Sequence, residues 1–429
     1  MSARRDCAGK ILMLAESDFP LDGRVRNEAF TLFREGYQVT VICGRSKDQR
    51  AREVIEGVEV YRVPRLTVFD KVPRQRTTSW GTALQLGLVA AGYVLEHSYF
   101  PAVCLLLSPY ILLRQGFDAI HAHNPPDTLF IVGAFYRLFG KKFVFDHHDL
   151  SPELFLSRFA ARGGFAHHAL LLLEKLCLKS ANACIATNES YREIEIARGG
   201  KDPQDVFVVR NGPDLGSLER TPDESLRPPG KKLLVYVGVM NPQDGLEYLL
   251  RAIHCLRDEL GRTDFRCVLV GAGDSLLGLQ NLSAELHLGD DVKFTGFLPH
   301  QEVMRYLATA DICLDPDPSS PLNDVSTTIK IMEYMSFGKP IVCFDLEETR
   351  VSAAGAAVYV RPNDEKAFAQ SIASLMDDPE RRRAMGDLGA RRVEQELAWQ
   401  HVSRNLIRAY RSILPKKEGG RAALKAPPP

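Results

Sequence analysis

The sequence predicts an α/β protein of two doubly wound, Rossmann-like domains facing each other across a cleft. Three observations carry this. Short apolar runs of strand length recur along the chain, each followed by a segment of helical length. A stretch rich in Pro, Gly and charge and without periodicity divides these runs near the middle. The chain has 429 residues, 45% hydrophobic and 25% charged, enough for more than one globular core.

In the first half the strand candidates are ILMLA, VTVIC, VEVYRV, DAIHA, FVFDH, ACIAT and VFVVR. In the second they are KLLVYVG, RCVLVG, VKFTGF, DICLD, PIVCFD and AAVYV. This divides the chain into a first domain over 1–211, a linker over 212–230, a second domain over 231–395, a helix over 396–414 crossing back to the first domain, and a disordered tail over 415–429. Ligands of such sheets bind beyond the carboxyl ends of the strands, so function is sought on the loops there.

Lys+Arg and Asp+Glu balance at 54 each, which argues against a nucleic-acid partner. The cysteines are scattered without a CxxC pair, as expected of reduced thiols in the cytoplasm. The N-terminal apolar run is too short for a signal-peptide core, and no export is expected. From Ala83 to Leu113 the chain is apolar, but Glu96, His97, Pro101 and Pro109 interrupt it, and neither half reaches the roughly 20 apolar residues of a membrane span. The basic run Arg62 to Arg76 beside it is suited to peripheral contact with an anionic membrane at its inner face; a solvated loop over buried helices is the plain alternative.

The most informative segment is STTIKIMEYMSFGKPIVCFD, Ser326 to Asp345. Ser326, Thr327 and Thr328 are N-cap candidates, and Gly338-Lys339-Pro340 stops the helix before a strand. Free N–H groups at such a helix start suit a diphosphate, with Thr327, Thr328 and Lys330 adding side-chain donors. One turn on, Glu333 is placed to accept hydrogen bonds from vicinal ribose hydroxyls, or it is a solvated Glu on an amphipathic helix.

Of His121 and His123 in HAHNPPD, His123 ends its strand and should project into the cleft, although an HxH pair is also ordinary packing. His148 and Asp149 end the next strand, with local capping as the alternative for Asp149. Gly23 follows the first strand and would let phosphate or acceptor approach the backbone. Arg24 or Arg26 would bind phosphate, or lie exposed along the helix. Asp315-Pro-Asp317 has the look of a metal-binding pair, but the two-sheet layout does not suit that use, and neither metal nor cofactor is expected.

TIKIMEYMSFGKPIV together with VYVG, VLVGAGD, VKFTGFLP and AWQHVSRNLIRAY resembles the carboxyl-terminal domain of the family-4 retaining glycosyltransferases with GT-B fold. DGRVRNEAFTLFREGYQVTVIC, DAIHAHNPPDTL and FVFDHHDLSPE are similar to that family's first domain. The resemblance implies a nucleotide-diphosphate-sugar donor, a glycan or lipid-linked acceptor, Glu333 on the ribose, His123 beside the reacting sugar, and Arg24, His148, Asp149 and Asn211 on the acceptor side or in the cleft. It also exposes departures. Val325 stands where the family's first conserved Glu is expected, and the loop GVMNPQDG carries Val239 for an Arg, and Gln243 or Asp244 near a Lys. These departures keep two alternatives in view: a non-catalytic nucleotide- or glycan-binding protein, and a nucleotide-sugar epimerase.

Overall fold

The computed structural model describes residues 7–46, 49–66, 79–159 and 164–414. The tail 415–429 and most of the basic run, 67–76, lie outside the described residues.

Eight strands form the first sheet: β1 (Lys10–Asp18), β2 (Gln38–Arg45), β3 (Arg52–Ile55), β4 (Val58–Pro64), β5 (Ala119–His123), β6 (Lys142–His147), β7 (Ala183–Ala186) and β8 (Val206–Val208). They lie in the order β3-β4-β2-β1-β5-β6-β7-β8. Six form the second: β9 (Lys232–Val237), β10 (Phe265–Val270), β11 (Val292–Gly296), β12 (Ile312–Asp315), β13 (Ile341–Phe344) and β14 (Ala357–Val360), in the order β11-β10-β9-β12-β13-β14. Every pairing is parallel except β3 with β4. Central strands such as β1 are apolar on both faces because helices cover both.

The sequence reading missed β3. It is an edge strand of four residues with alternating partial exposure, and it forms a hairpin with β4 through Glu56 and Gly57, both at positive φ. It offers no buried apolar run to detect.

One face of the first sheet is covered by α1 (Gly23–Arg34). The other is covered by α2 (Ser79–Arg114), α3 (Phe130–Arg137), α4 (Ser151–Phe159) and α5 (Phe165–Ser180), with α6 (Glu189–Ala197) leading to β8. The interrupted apolar segment is a single helix, α2, with Pro101 and Pro109 inside it. Among the described residues no helix is long and apolar enough to cross a membrane. Arg62, expected in a surface run, is buried: it donates to the Phe19 carbonyl and pairs with Glu53.

The second sheet is wrapped by α7 (Leu246–His254), α8 (Leu276–Glu285), α9 (His300–Thr309), α10 (Ile329–Ser336), α11 (Glu347–Ala353), α12 (Glu365–Asp377) and α13 (Pro379–Arg392). The chain then returns. α14 (Trp399–Ile413) packs on the first domain, where the Trp399 indole donates to Thr31 Oγ1 at 2.8 Å, Asn405 donates to the Val208 carbonyl at 2.8 Å, and the Tyr410 hydroxyl lies 2.8 Å from His121 Nδ1.

Strand order reverses beside β1 and β5 in the first sheet and beside β9 and β12 in the second. The loops leaving those strands flank the crevice where such sheets take ligands.

Candidate active site

On the first domain, β5 and β6 lie in register with His123 opposite Asp146. Asp146 organises the cleft floor. Its Oδ1 accepts from Arg24 Nη2 at 2.6 Å, and its Oδ2 lies 2.8 Å from His148 Nε2, 3.0 Å from His123 Nδ1 and 3.2 Å from Arg24 Nε. Burial alone would raise this carboxyl, but Arg24, His148 and the hydrogen bonds of His121 and His123 outweigh it and hold it well below the usual range. Arg24 is itself buried and donates also to the Val209 carbonyl at 2.9 Å and to Asn211 Oδ1 at 2.5 Å. Asp22 caps α1 by accepting from the Arg24 and Val25 backbone N–H groups, so the arginine is fixed at both backbone and side chain.

This corrects the reading of Arg24 as exposed on the helix: it is buried as the counter-ion of Asp146. Asn211 lies in the same network, where it accepts from Arg24.

Glu28, His121, His123 and Asp146 bring their ligand atoms within 4.8 Å of one another, a grouping a metal ion could use. The guanidinium of Arg24, buried against two of the four, opposes that use. Burial and the neighbouring Asp146 raise Glu28 well above its ordinary value. Burial, with His123 adding to it, pushes His121 down to about 4, and burial also lowers His123. Arg24 already provides the cation, 3.3 Å from Glu28 and 2.6 Å from Asp146.

With Nδ1–H of His123 given to Asp146, its Nε2 is left as a buried acceptor without a partner among the described residues. His148 packs edge-on at 5.2 Å between ring centres and is the more open of the two rings. Asp149 joins through its backbone, whose N–H and carbonyl meet the Asn124 side chain. Nothing inside the protein requires glycine at position 23: a Cβ there would meet only the end of Arg26.

On the second domain, Gly271 is required, since a Cβ would strike the Gly238 carbonyl at 1.8 Å. The loops after β9 and β10 thus touch backbone to backbone. α10 starts at Ile329 with Thr328 at the N-cap position, though without a side-chain cap hydrogen bond, and ends against Gly338 at φ 64°. Lys330 departs from its expected part. Its ammonium is buried between Asp315 Oδ1 at 2.9 Å and Asp317 Oδ1 at 2.5 Å, and lies 5.0 Å from the centre of the Tyr236 ring. Burial and the adjacent Asp315 raise Asp317 well above its usual value. The Asp-Pro-Asp pair is therefore occupied by the protein's own cation. Asp244 is also used locally, accepting from the Asn241 N–H at 3.0 Å.

Ser326 and Thr327 face the first domain. Asn188 donates to Thr327 Oγ1 at 3.0 Å and to the Val325 carbonyl at 2.8 Å, Tyr191 meets Ser326 at 3.2 Å, and Arg210 pairs with Glu348 at 3.3 Å. Val325 packs on the apolar cluster of the first domain, which accounts for an apolar residue where an acid was expected. Glu333 differs from its neighbours. Burial raises its carboxyl, and no ion pair or hydrogen bond engages that side chain among the described residues.

Two facing double-wound domains with this cleft define the architecture of GT-B glycosyltransferases. Residues 24–212 match the family described as "Glycosyl transferase 4-like domain", and residues 218–392 match "Glycosyl transferases group 1". The chain belongs to the group 1 glycosyltransferases of GT-B fold. It is 26% identical over 300 residues to the alpha-maltose-1-phosphate synthase of Mycolicibacterium smegmatis, covering 64% of this chain and 74% of that protein. It is 22% identical over 408 residues to the phosphatidylinositol N-acetylglucosaminyltransferase gpi3 subunit of Schizosaccharomyces pombe, covering 94% of this chain and 80% of the other. Among solved structures, Anabaena HepE in complex with UDP-glucose superposes with a TM-score of 0.68 at 17% identity, covering 94% of this chain and 100% of HepE.

The sequence reading nominated His148 and Asp149 from β6 and passed over Asp146. Register with His123 across the ladder was the signal that would have found it. Glu28 and Tyr410 carried no local signal, because only packing brings them to His121.

Proposed function

We propose that the protein transfers a hexosyl unit, with retention, from a nucleoside-diphosphate sugar to a glycan or lipid-linked acceptor. The observation that carries this is Glu333, a half-buried carboxyl without a partner among the described residues, one turn into a helix that follows the loop meeting the first domain. Two vicinal ribose hydroxyls would supply the hydrogen bonds that burial has taken from it. The first N–H groups of α10 and its positive dipole end would stabilise the charge of the departing diphosphate, with the attack on the same face assisted by the leaving phosphate itself. His123 Nε2 would accept a hydroxyl of the sugar or acceptor, and the open space beside Gly23 would admit the reacting groups. HepE, named in complex with UDP-glucose, supports the donor class.

The test is a panel of nucleotide-sugars followed by calorimetry and by proton NMR of the product anomer. The expected result is donor binding, release of nucleoside diphosphate, and a product with the donor's anomeric configuration. Glu333→Ala should weaken donor binding by about 1–3 kcal/mol in a folded protein. Undiminished affinity would remove the ribose role, and an inverted product would remove retention. A second reading, binding without turnover, is favoured by the internal use of Lys330 and by the loop carrying Asp244. Donor binding with no nucleoside diphosphate released would decide for it.

A further inference from the structure

The apolar surface of the first domain is larger than its chemistry needs. α3 lies between α2 and α5 on one face of the sheet, and the inward sides of all three enter a single buried cluster through Phe100, Cys104, Val132, Tyr136 and Cys177. Their outward sides are apolar too. On α2, Leu106, Tyr110 and Leu113 recur at helical spacing, and Leu113 is 89% exposed. Just past the end of α3, Leu138 is 83% exposed with Phe139 beside it, and on α5, Phe165 is 92% exposed with Leu172 two turns on. A water-soluble surface does not ordinarily gather large apolar side chains on three adjacent helices.

The charge on the carboxyl-terminal half of α2, which follows Glu96, and on the segments of α3 and α5 is one-sided. Residues 98–114, 130–142 and 164–180 carry Arg114, Arg137, Lys141, Lys142, Lys175 and Lys179, while their one acid, Glu174, is buried and paired with Arg198. The whole chain balances at 54 of each sign, so this is a local bias. Part of it complements the carboxyl ends of the helices, where Arg137 donates to the Ser180 carbonyl and Arg114 to the Tyr110 hydroxyl. These contacts leave the guanidinium charges in place, and both residues remain exposed.

We propose that the outward face of α2, α3 and α5 docks on an anionic lipid bilayer. A bilayer of that kind offers apolar depth and negative charge together, as these helices require. A second copy of the chain meeting this face about a two-fold axis would set lysines and arginines against each other, with no exposed acid on these segments to relieve them. The surface is independent of the transfer chemistry and stands or falls without it.

Flotation of the full chain with vesicles tests this, using phosphatidylcholine alone and an equal mixture of phosphatidylcholine and phosphatidylglycerol. The protein should float with the mixed vesicles, stay behind with the neutral ones, and be released by high salt. Leu138→Glu with Phe139→Glu, and separately Lys175→Glu with Lys179→Glu, should each reduce binding by roughly tenfold or more. Urea midpoints and donor binding of the variants, compared with the parent, establish that they fold. Failure of the parent to bind mixed vesicles overturns the proposal, as does equal binding by both folded variants. Equal binding to neutral vesicles overturns the anionic requirement. A dimer seen by light scattering that Leu138→Glu with Phe139→Glu dissolves, without vesicle binding, assigns the face to self-association instead.

Discussion

Both sheets place a buried cation between carboxylates beneath the cleft, but the two supports are built differently. In the first domain Arg24 spreads its hydrogen bonds over Asp146, Val209 and Asn211, and three histidines lean on the same aspartate. In the second, Lys330 is a point charge held by Asp315 and Asp317, and Asp317 is already inclined to keep a proton. A forked, always-charged arginine ties strands, helix and linker into one network; a lysine between two carboxylates neutralises a local cluster. In both domains the buried cation is engaged by the protein's own carboxylates. Among the described residues, His123 Nε2 on one side and the Glu333 side chain on the other have no protein partner.

The comparison can be broken by mutation. Asp146→Ala should have the largest effect, about 3–5 kcal/mol of stability, because it strands a buried guanidinium that cannot lose its charge; urea denaturation measures it. Next comes a pH effect. His121 takes its proton near pH 4 in the folded chain and near 6.5 when unfolded, so as pH falls through that window the unfolded state binds the proton first and stability is lost. The size is about 3 kcal/mol for this group. The raised Glu28 carboxyl acts with the opposite sign, so the quantity to measure is the difference in pH slope between the parent and His121→Asn, which should lack the His121 share. Lys330→Met should cost less, about 2 kcal/mol, since Asp317 can stay protonated and share that proton with Asp315. A cost equal to that of Asp146→Ala would erase the distinction between the two supports. Smallest is Tyr410→Phe, about 1 kcal/mol, which removes the hydroxyl joining α14 to His121 and is read from the same denaturation curves.

Much of this was legible in the chain. The buried parallel strands announce themselves as apolar runs, because helices cover both faces and no polar alternation is needed. The helix after Thr328 shows its cap position and its Gly338 stop. Less could be read where partners come from afar. Arg24 looked like a surface arginine because Asp146 is remote in sequence, and Lys330 looked like a phosphate ligand because Asp315 and Asp317 appeared to be a pair in their own right. Val325 looked like a lost acid until its packing on the first domain showed why the position is apolar.

The sequence by itself determined the two-sheet architecture, the family and the ends of the strands from which the site is made, since periodicity, caps and glycine stops are local. Only the tertiary structure decided which side chains at those ends are available. Availability depends on who neutralises whom in a low-dielectric interior, and the partners of Arg24, His121 and Lys330 are supplied by other loops and by the returning helix.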